Sequence, residues 1–179
     1  MQRATQVYLK LPDFGRTHHR NSLPLTSVTF SALARRAVMS HLDVRGHWQG
    51  GTLFGEVNAG ILSVRLVTPL GPPAWSQQPL APHLPYLLGW SDSLYALHGE
   101  TIDWHGNWIA APDGQLPDER ADLTWLASGA RLGLFDDLHT LVIVGLRDGY
   151  LTGRAYGWSD GEPVSLDFDS GNHPGDSPL

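Results

Sequence analysis

The residues able to do chemistry gather in Thr101-Ile-Asp-Trp104-His105-Gly-Asn107-Trp108 and, after a loop bearing proline and glycine, in Leu116-Pro-Asp118-Glu-Arg-Ala-Asp122-Leu123. The first stretch reads as a buried β-strand that carries a histidine to its C-terminal end, and the second as the acidic first turn of a helix. A histidine and a carboxylate brought together in this way can hold a metal, and they are also what remains once a metal site has lost its other ligands. The chain contains no cysteine, so a metal would have to be held by His, Asp, Glu or a neutral oxygen, and disulfides and thiol nucleophiles are excluded. Asp118 and Asp122 can face one side of the helix. Each also has a plain structural use, Asp118 as N-cap and Asp122 as an acidic residue favoured by the helix dipole. His105 equally suits a strand-end histidine bonded to the backbone or to Asp122. His47 is a candidate substitute ligand, whereas His18 and His19, flanked by Arg16 and Arg20, read as a solvated loop.

The elements that must position these residues follow from periodicity. Val28 to Phe30 reads as a short strand, after which Ser31 caps a helix with Leu33, Ala34, Ala37, Val38, His41 and Leu42 on one face and Gly46 ending it. Gly50 to Val57 reads as a strand whose glycines mark close approach to another segment or to a ligand. Asn58-Ala-Gly60 turns it into a second strand over Ile61 to Val67, a β-hairpin. Pro69 to Pro85, with six prolines, reads as an irregular excursion anchored by Leu70, Trp75 and Leu80. Helical spacing returns at Leu87, Trp90, Leu94 and Leu97, and again at Leu123, Leu126 and Ala130. Leu141 to Leu146 suits a strand covered on both faces, and Arg147-Asp-Gly149 closes a second hairpin with Tyr150 to Trp158. The organisation expected is an N-terminal extension over 1–26, one domain over 27–158, and an acidic flexible tail over 159–179 in which Val164 to Phe168 can dock.

Composition narrows the classes. A chain of 179 residues with 41% apolar content is long enough for one sizeable core and too short for two. A net charge of −6 argues against a surface that tracks phosphates, so nucleic acid is not an expected partner. No basic segment leads into an apolar leader and no run of apolar residues is long enough to span a bilayer, so the expected setting is the cytoplasm, with no membrane contact.

Three of these landmarks, in this order, resemble the JAB1/MPN (JAMM) family, Prok-JAB-like, across roughly Val28 to Trp158. The family's Glu-x-Gly-Gly-x-Leu-x-Gly strand resembles Trp48-Gln-Gly50-Gly51-Thr-Leu53-Phe-Gly55. Its Trp-His-x-His strand end resembles Trp104-His105-Gly106-Asn107, and its Pro-Ser-x-x-Asp-Leu helix start resembles Pro117 to Leu123. The resemblance implies an α/β (α+β) fold of cytidine-deaminase-like architecture, a mixed sheet with two hairpins packed against helices. In active members it implies zinc on two histidines and an aspartate, with the glutamate as general base in cleaving an amide or isopeptide bond.

Carried over by position, His105 keeps the first histidine, Asn107 replaces the second, and Trp48 replaces the glutamate. Counting from Asn107 puts the aspartate at Asp118, while the helix context puts it at Asp122. An asparagine oxygen is a weak zinc ligand and an indole cannot accept a proton, so the expected function is a non-catalytic interaction or scaffold module without a cofactor. Its expected partner is a protein, either ubiquitin-like or an active relative of the family, or a second copy in a homodimer. Trp48, Trp108 and Trp75 are the expected binding aromatics. The alternatives are a zinc metallopeptidase with a rebuilt site on His105, Asp122 or Asp118, and His47 or Asn107, and an unrelated α/β domain that matches by coincidence.

Overall fold

The computed structural model describes residues 2–10, 24–43, 46–71, 79–81, 83–136 and 138–171. His18, His19 and Trp75 lie outside the described residues. In chain order the elements are α1 (Arg3–Tyr8), β1 (Ser27–Phe30), α2 (Ala32–Leu42), β2 (Gln49–Asn58), β3 (Ile61–Pro69), α3 (Leu84–His98), β4 (Asp103–Gln115), α4 (Glu119–Arg131), β5 (Thr140–Arg147), β6 (Tyr150–Ser159) and β7 (Glu162–Asp169).

Turn chemistry sets the hairpins. Ala59-Gly60, Asp148-Gly149 and Asp160-Gly161 all lie at positive φ (50° and 81°, 54° and 81°, 53° and 83°), as two-residue type I′ turns require. The three turns build β2–β3, β5–β6 and β6–β7 as antiparallel pairs. β1 then pairs in parallel with β3 on one side and with β7 on the other, closing a seven-stranded barrel in the order β1-β3-β2-β4-β5-β6-β7.

The barrel overturns the expected open mixed sheet of cytidine-deaminase-like architecture. The physical reason is the third hairpin. Asp160-Gly161 returns the chain along β6, and β7 then presents an edge that β1 covers, which removes the free edges an open sheet would keep. The acidic stretch expected to be a flexible tail from residue 159 is therefore barrel strand as far as Asp169. The expected N-terminal extension likewise contributes to the packing: Ala4 is buried against Phe54, Leu87 and Trp104, and the Arg3 side chain is only 8% exposed.

Two faces of the sheet carry different cores. Val28, Leu53, Leu62, Trp108, Val142, Leu151 and Leu166, one from each strand, meet Ala34, Val38 and Leu42 of α2 inside the barrel. Ser31 starts α2 as expected, its hydroxyl accepting from the Ala34 N–H at 3.2 Å. Outside, α1 and α3 cover Phe54 and Trp104, while α4 covers Ile109, Leu141 and Ile143. The helix faces are rotated from those expected. Leu33, Leu97 and Leu123 are exposed, and α4 turns Asp122, Leu126 and Gly129 inward instead.

Candidate functional site

β4 brings Trp104, His105 and Asn107 to the sheet, and a bulge decides where each points. Gly106 opposes Leu53 while Trp104 opposes Phe54, leaving His105 as the extra residue. The bulge puts Trp104 on the outer face and Trp108, four residues on, inside the barrel. His105 thus stands near the start of a thirteen-residue strand, not at its C-terminal end, because β4 runs on through Pro112 and Gly114 to Gln115 where a loop was expected. That extra length separates His105 from the helix that carries both aspartates.

Asp118 is the N-cap of α4, exposed, its carboxylate accepting from the Arg120 N–H at 2.8 Å. Asp122 is buried with its side chain 1% exposed, and it is fully engaged elsewhere. Its Oδ2 accepts from Arg154 Nε at 2.5 Å and from the Tyr156 hydroxyl at 2.6 Å, and its Oδ1 accepts from Arg154 Nη2 at 2.8 Å. Arg154 Nη2 also donates to the Pro117 carbonyl at 2.8 Å, so one guanidinium ties β6 to the start of α4. Burial, followed by the bond to Asp122, pushes the Tyr156 phenol up to about 12, so it remains a donor throughout the physiological range.

Register places this clasp away from His105. Tyr156 opposes Leu141, and Leu141 opposes Asn107, so Asp122 is held two strands from the strand bearing the histidine. Among the described residues no three His, Asp or Glu side chains converge as metal ligands. His47 is exposed and Asn107 is fully buried. Trp48 packs against Trp125 of α4 with ring centroids 4.7 Å apart, edge to face. These residues do not fit the zinc centre of the expected alternative: the carboxylate is neutralised by arginine, the second imidazole is an amide, and an aromatic pair occupies the position of the glutamate. Trp108, expected as a binding aromatic, is wholly buried, and its Nε1–H donates to the Thr68 carbonyl at 3.1 Å.

What the fold does assemble is a polar row across the outer face, between the two apolar clusters. Thr68 opposes Thr52, Thr52 opposes Asn107, and all three are buried. The threonine hydroxyls are 2.6 Å apart, and Thr68 Oγ1 donates to the Pro69 carbonyl at 3.0 Å, so Thr52 donates to Thr68 and keeps a lone pair. Among the described residues, neither end of the Asn107 amide meets a hydrogen-bond partner.

His139 closes the row. It precedes β5, is fully buried, and stands edge-on to Trp104 and Phe135 at 5.4 and 5.3 Å. Arg3 of α1 lies over the Trp104 ring at 4.7 Å, binds both Asp136 oxygens at 2.9 Å, and approaches His139 Nδ1 at 3.1 Å. A guanidinium only donates, so Nδ1 accepts and the proton of neutral His139 sits on Nε2, which meets no acceptor among the described residues. Asp103 completes the surround, accepting from the Arg3 and Trp104 N–H groups, while burial pushes its carboxyl up. Sequence reasoning missed Arg3, Thr52, His139 and Asp136. Only the spacing of His139 ahead of the apolar run from Leu141 signalled it, while Arg3 lay in a segment without periodicity.

His139 makes stability depend on pH. Desolvation, then the nearby charges of Arg3 and His105, hold its pKa well below the ordinary 6.5. The unfolded chain therefore takes up a proton that the native state refuses. The stabilising contribution is fully present above about pH 6.5 and declines as pH falls below it, by at most about 1.4 kcal/mol per pH unit. Urea midpoints measured between pH 7.5 and 5 should fall more steeply for the wild type than for His139→Phe. Parallel curves would show that His139 does not titrate on unfolding.

No family model and no curated protein matches the chain. Among solved structures, it is similar to the solution structure of protein DSY2949 from Desulfitobacterium hafniense, with a TM-score of 0.57 over 82% of this chain and 94% of that one, at 15% identity. At that identity the likeness is one of fold alone.

Proposed function

We propose that the chain is a non-hydrolytic interaction domain, docking a protein partner in the cytoplasm, rather than a zinc peptidase. The observation that carries this reading is the engagement of Asp122: among the described residues its close hydrogen bonds come from Arg154 and Tyr156, and a buried carboxylate held by a guanidinium is not available to a cation. Asn107 and the Trp48–Trp125 pair support it, since neither supplies a good ligand or a proton acceptor. The motifs that resemble the JAB1/MPN family keep their order on β2, β4 and the start of α4. On that resemblance the partner class is a ubiquitin-like protein or an active member of that family. Exposed Leu97 of α3 and Leu123 of α4 offer apolar contact area for docking.

Elemental analysis of protein purified without a histidine tag tests the non-hydrolytic reading. Zinc far below one per chain, unchanged in His105→Ala, is the expected result. About one zinc per chain, lost in His105→Ala, would overturn it.

A further inference from the structure

We propose that the polar row on the outer face of the barrel is a binding site for a small uncharged ligand of the primary-amide class, recognised by Asn107 and His139. Asn107 is completely buried, and among the described residues both its Oδ1 and its Nδ2 lack a hydrogen-bond partner, as does His139 Nε2. Leaving such groups unmet costs about 1–3 kcal/mol each, so a fold that keeps three of them on one face has reason to present them to a guest. The two residues are diagonal neighbours. Leu141 opposes Asn107, and His139 lies two residues before Leu141, which sets both side chains on the same face of adjacent strands with their backbones roughly 8 Å apart.

The donors and charges select the chemistry. Asn107 offers an acceptor and a donor side by side, the complement of another carboxamide, while His139 Nε2–H and the Thr52 lone pair add one donor and one acceptor. Arg3 fixes the His139 tautomer, so Nε2 is a donor and not a lone pair for a metal. Around the row stand the Arg3 guanidinium and the His105 imidazole against two carboxylates, Asp103 and Asp136, with His139 neutral, so an anion meets no excess of positive charge. The row's N–H donors, from Asn107 and His139, disfavour a cation. A neutral amide satisfies both constraints.

The inference goes beyond the non-hydrolytic reading and does not depend on it: zinc at His105 would fail the elemental analysis while leaving the amide test to stand or fall alone. Titrating the full-length, isotope-labelled chain with acetamide, and separately with acetate, and following the His139 imidazole and Asn107 side-chain resonances by NMR decides it. Saturable shifts at both residues with acetamide, at least tenfold weaker with acetate, are expected, and Asn107→Leu abolishes them at His139. Should Asn107→Leu fail to fold, His139→Phe, which preserves the ring contacts, is expected to weaken acetamide binding at least tenfold. No saturable response to acetamide, equal binding of acetate, or binding unchanged in the variant that folds would overturn the proposal.

Discussion

Arg154→Ala is expected to destabilise the protein by about 3–5 kcal/mol, the cost of leaving a buried carboxylate without its partner. Among the described residues Asp122 has no second cation to turn to, since its hydrogen bonds come from Arg154 and Tyr156, and its side chain is 1% exposed against 18% for Arg154. The loss reaches further than the ion pair, because Arg154 Nη2 also holds the Pro117 carbonyl just ahead of α4. Tyr156→Phe removes one donor to the same carboxylate and is expected to cost about 1–2 kcal/mol. Arg154→Lys keeps the charge without the fork and should fall between the two. Chemical denaturation of the three variants measures this. A loss below about 1 kcal/mol in Arg154→Ala would mean that Asp122 is solvated, and would return it to the pool of available ligands.

Gly51→Ala is expected to cost at least about 3 kcal/mol, at the upper end for overpacking, because neither neighbour can yield. A Cβ on Gly51 would lie 1.8 Å from the Thr68 carbonyl oxygen and 2.4 Å from Trp108 Nε1. Those two atoms are bonded to each other inside the barrel, so the added methyl must both spread β2 from β3 and break an indole hydrogen bond. Gly89→Ala is the control: among the described residues no atom beyond the adjoining helix backbone lies within 4 Å of a Cβ there, and removing a glycine from the middle of α3 should stabilise by up to about 1 kcal/mol. Thermal melts of the pair would therefore move in opposite directions. If Gly51→Ala melted with the wild type, the close approach of β2 to β3 would be wrong.

That close approach was legible from Gly50-Gly51 alone, as were the hairpin turns at Gly60 and Gly149 and the caps at Ser31 and Asp118, because each depends on a few adjacent residues. The Asp160-Gly161 turn carried the same local signal, but the acidic residues around it pointed to a solvated tail. β7 is a strand whose side chains are mostly exposed, so charge there is compatible with pairing to β6 and β1. Helical spacing located α2, α3 and α4 but misjudged their inner faces. Leu97 and Leu123 were expected inside and lie in solvent, while Ser91 and Asp122 lie inside, Asp122 held by Arg154.

By itself the sequence determined the ligand inventory: no cysteine, so a metal would fall to His, Asp, Glu or a neutral oxygen. It also determined the local turns. Only the tertiary structure decided the closure of the barrel, the bulge that separates Trp104 from Trp108, and the company each polar group keeps. Arg154 meets Asp122 across 32 positions and Arg3 meets His139 across 136, and no local period records such pairs. Which charge a buried carboxylate or imidazole feels depends on which strand comes to lie beneath which helix, and that is settled when the non-local pairing of β1 with β7 shuts the sheet.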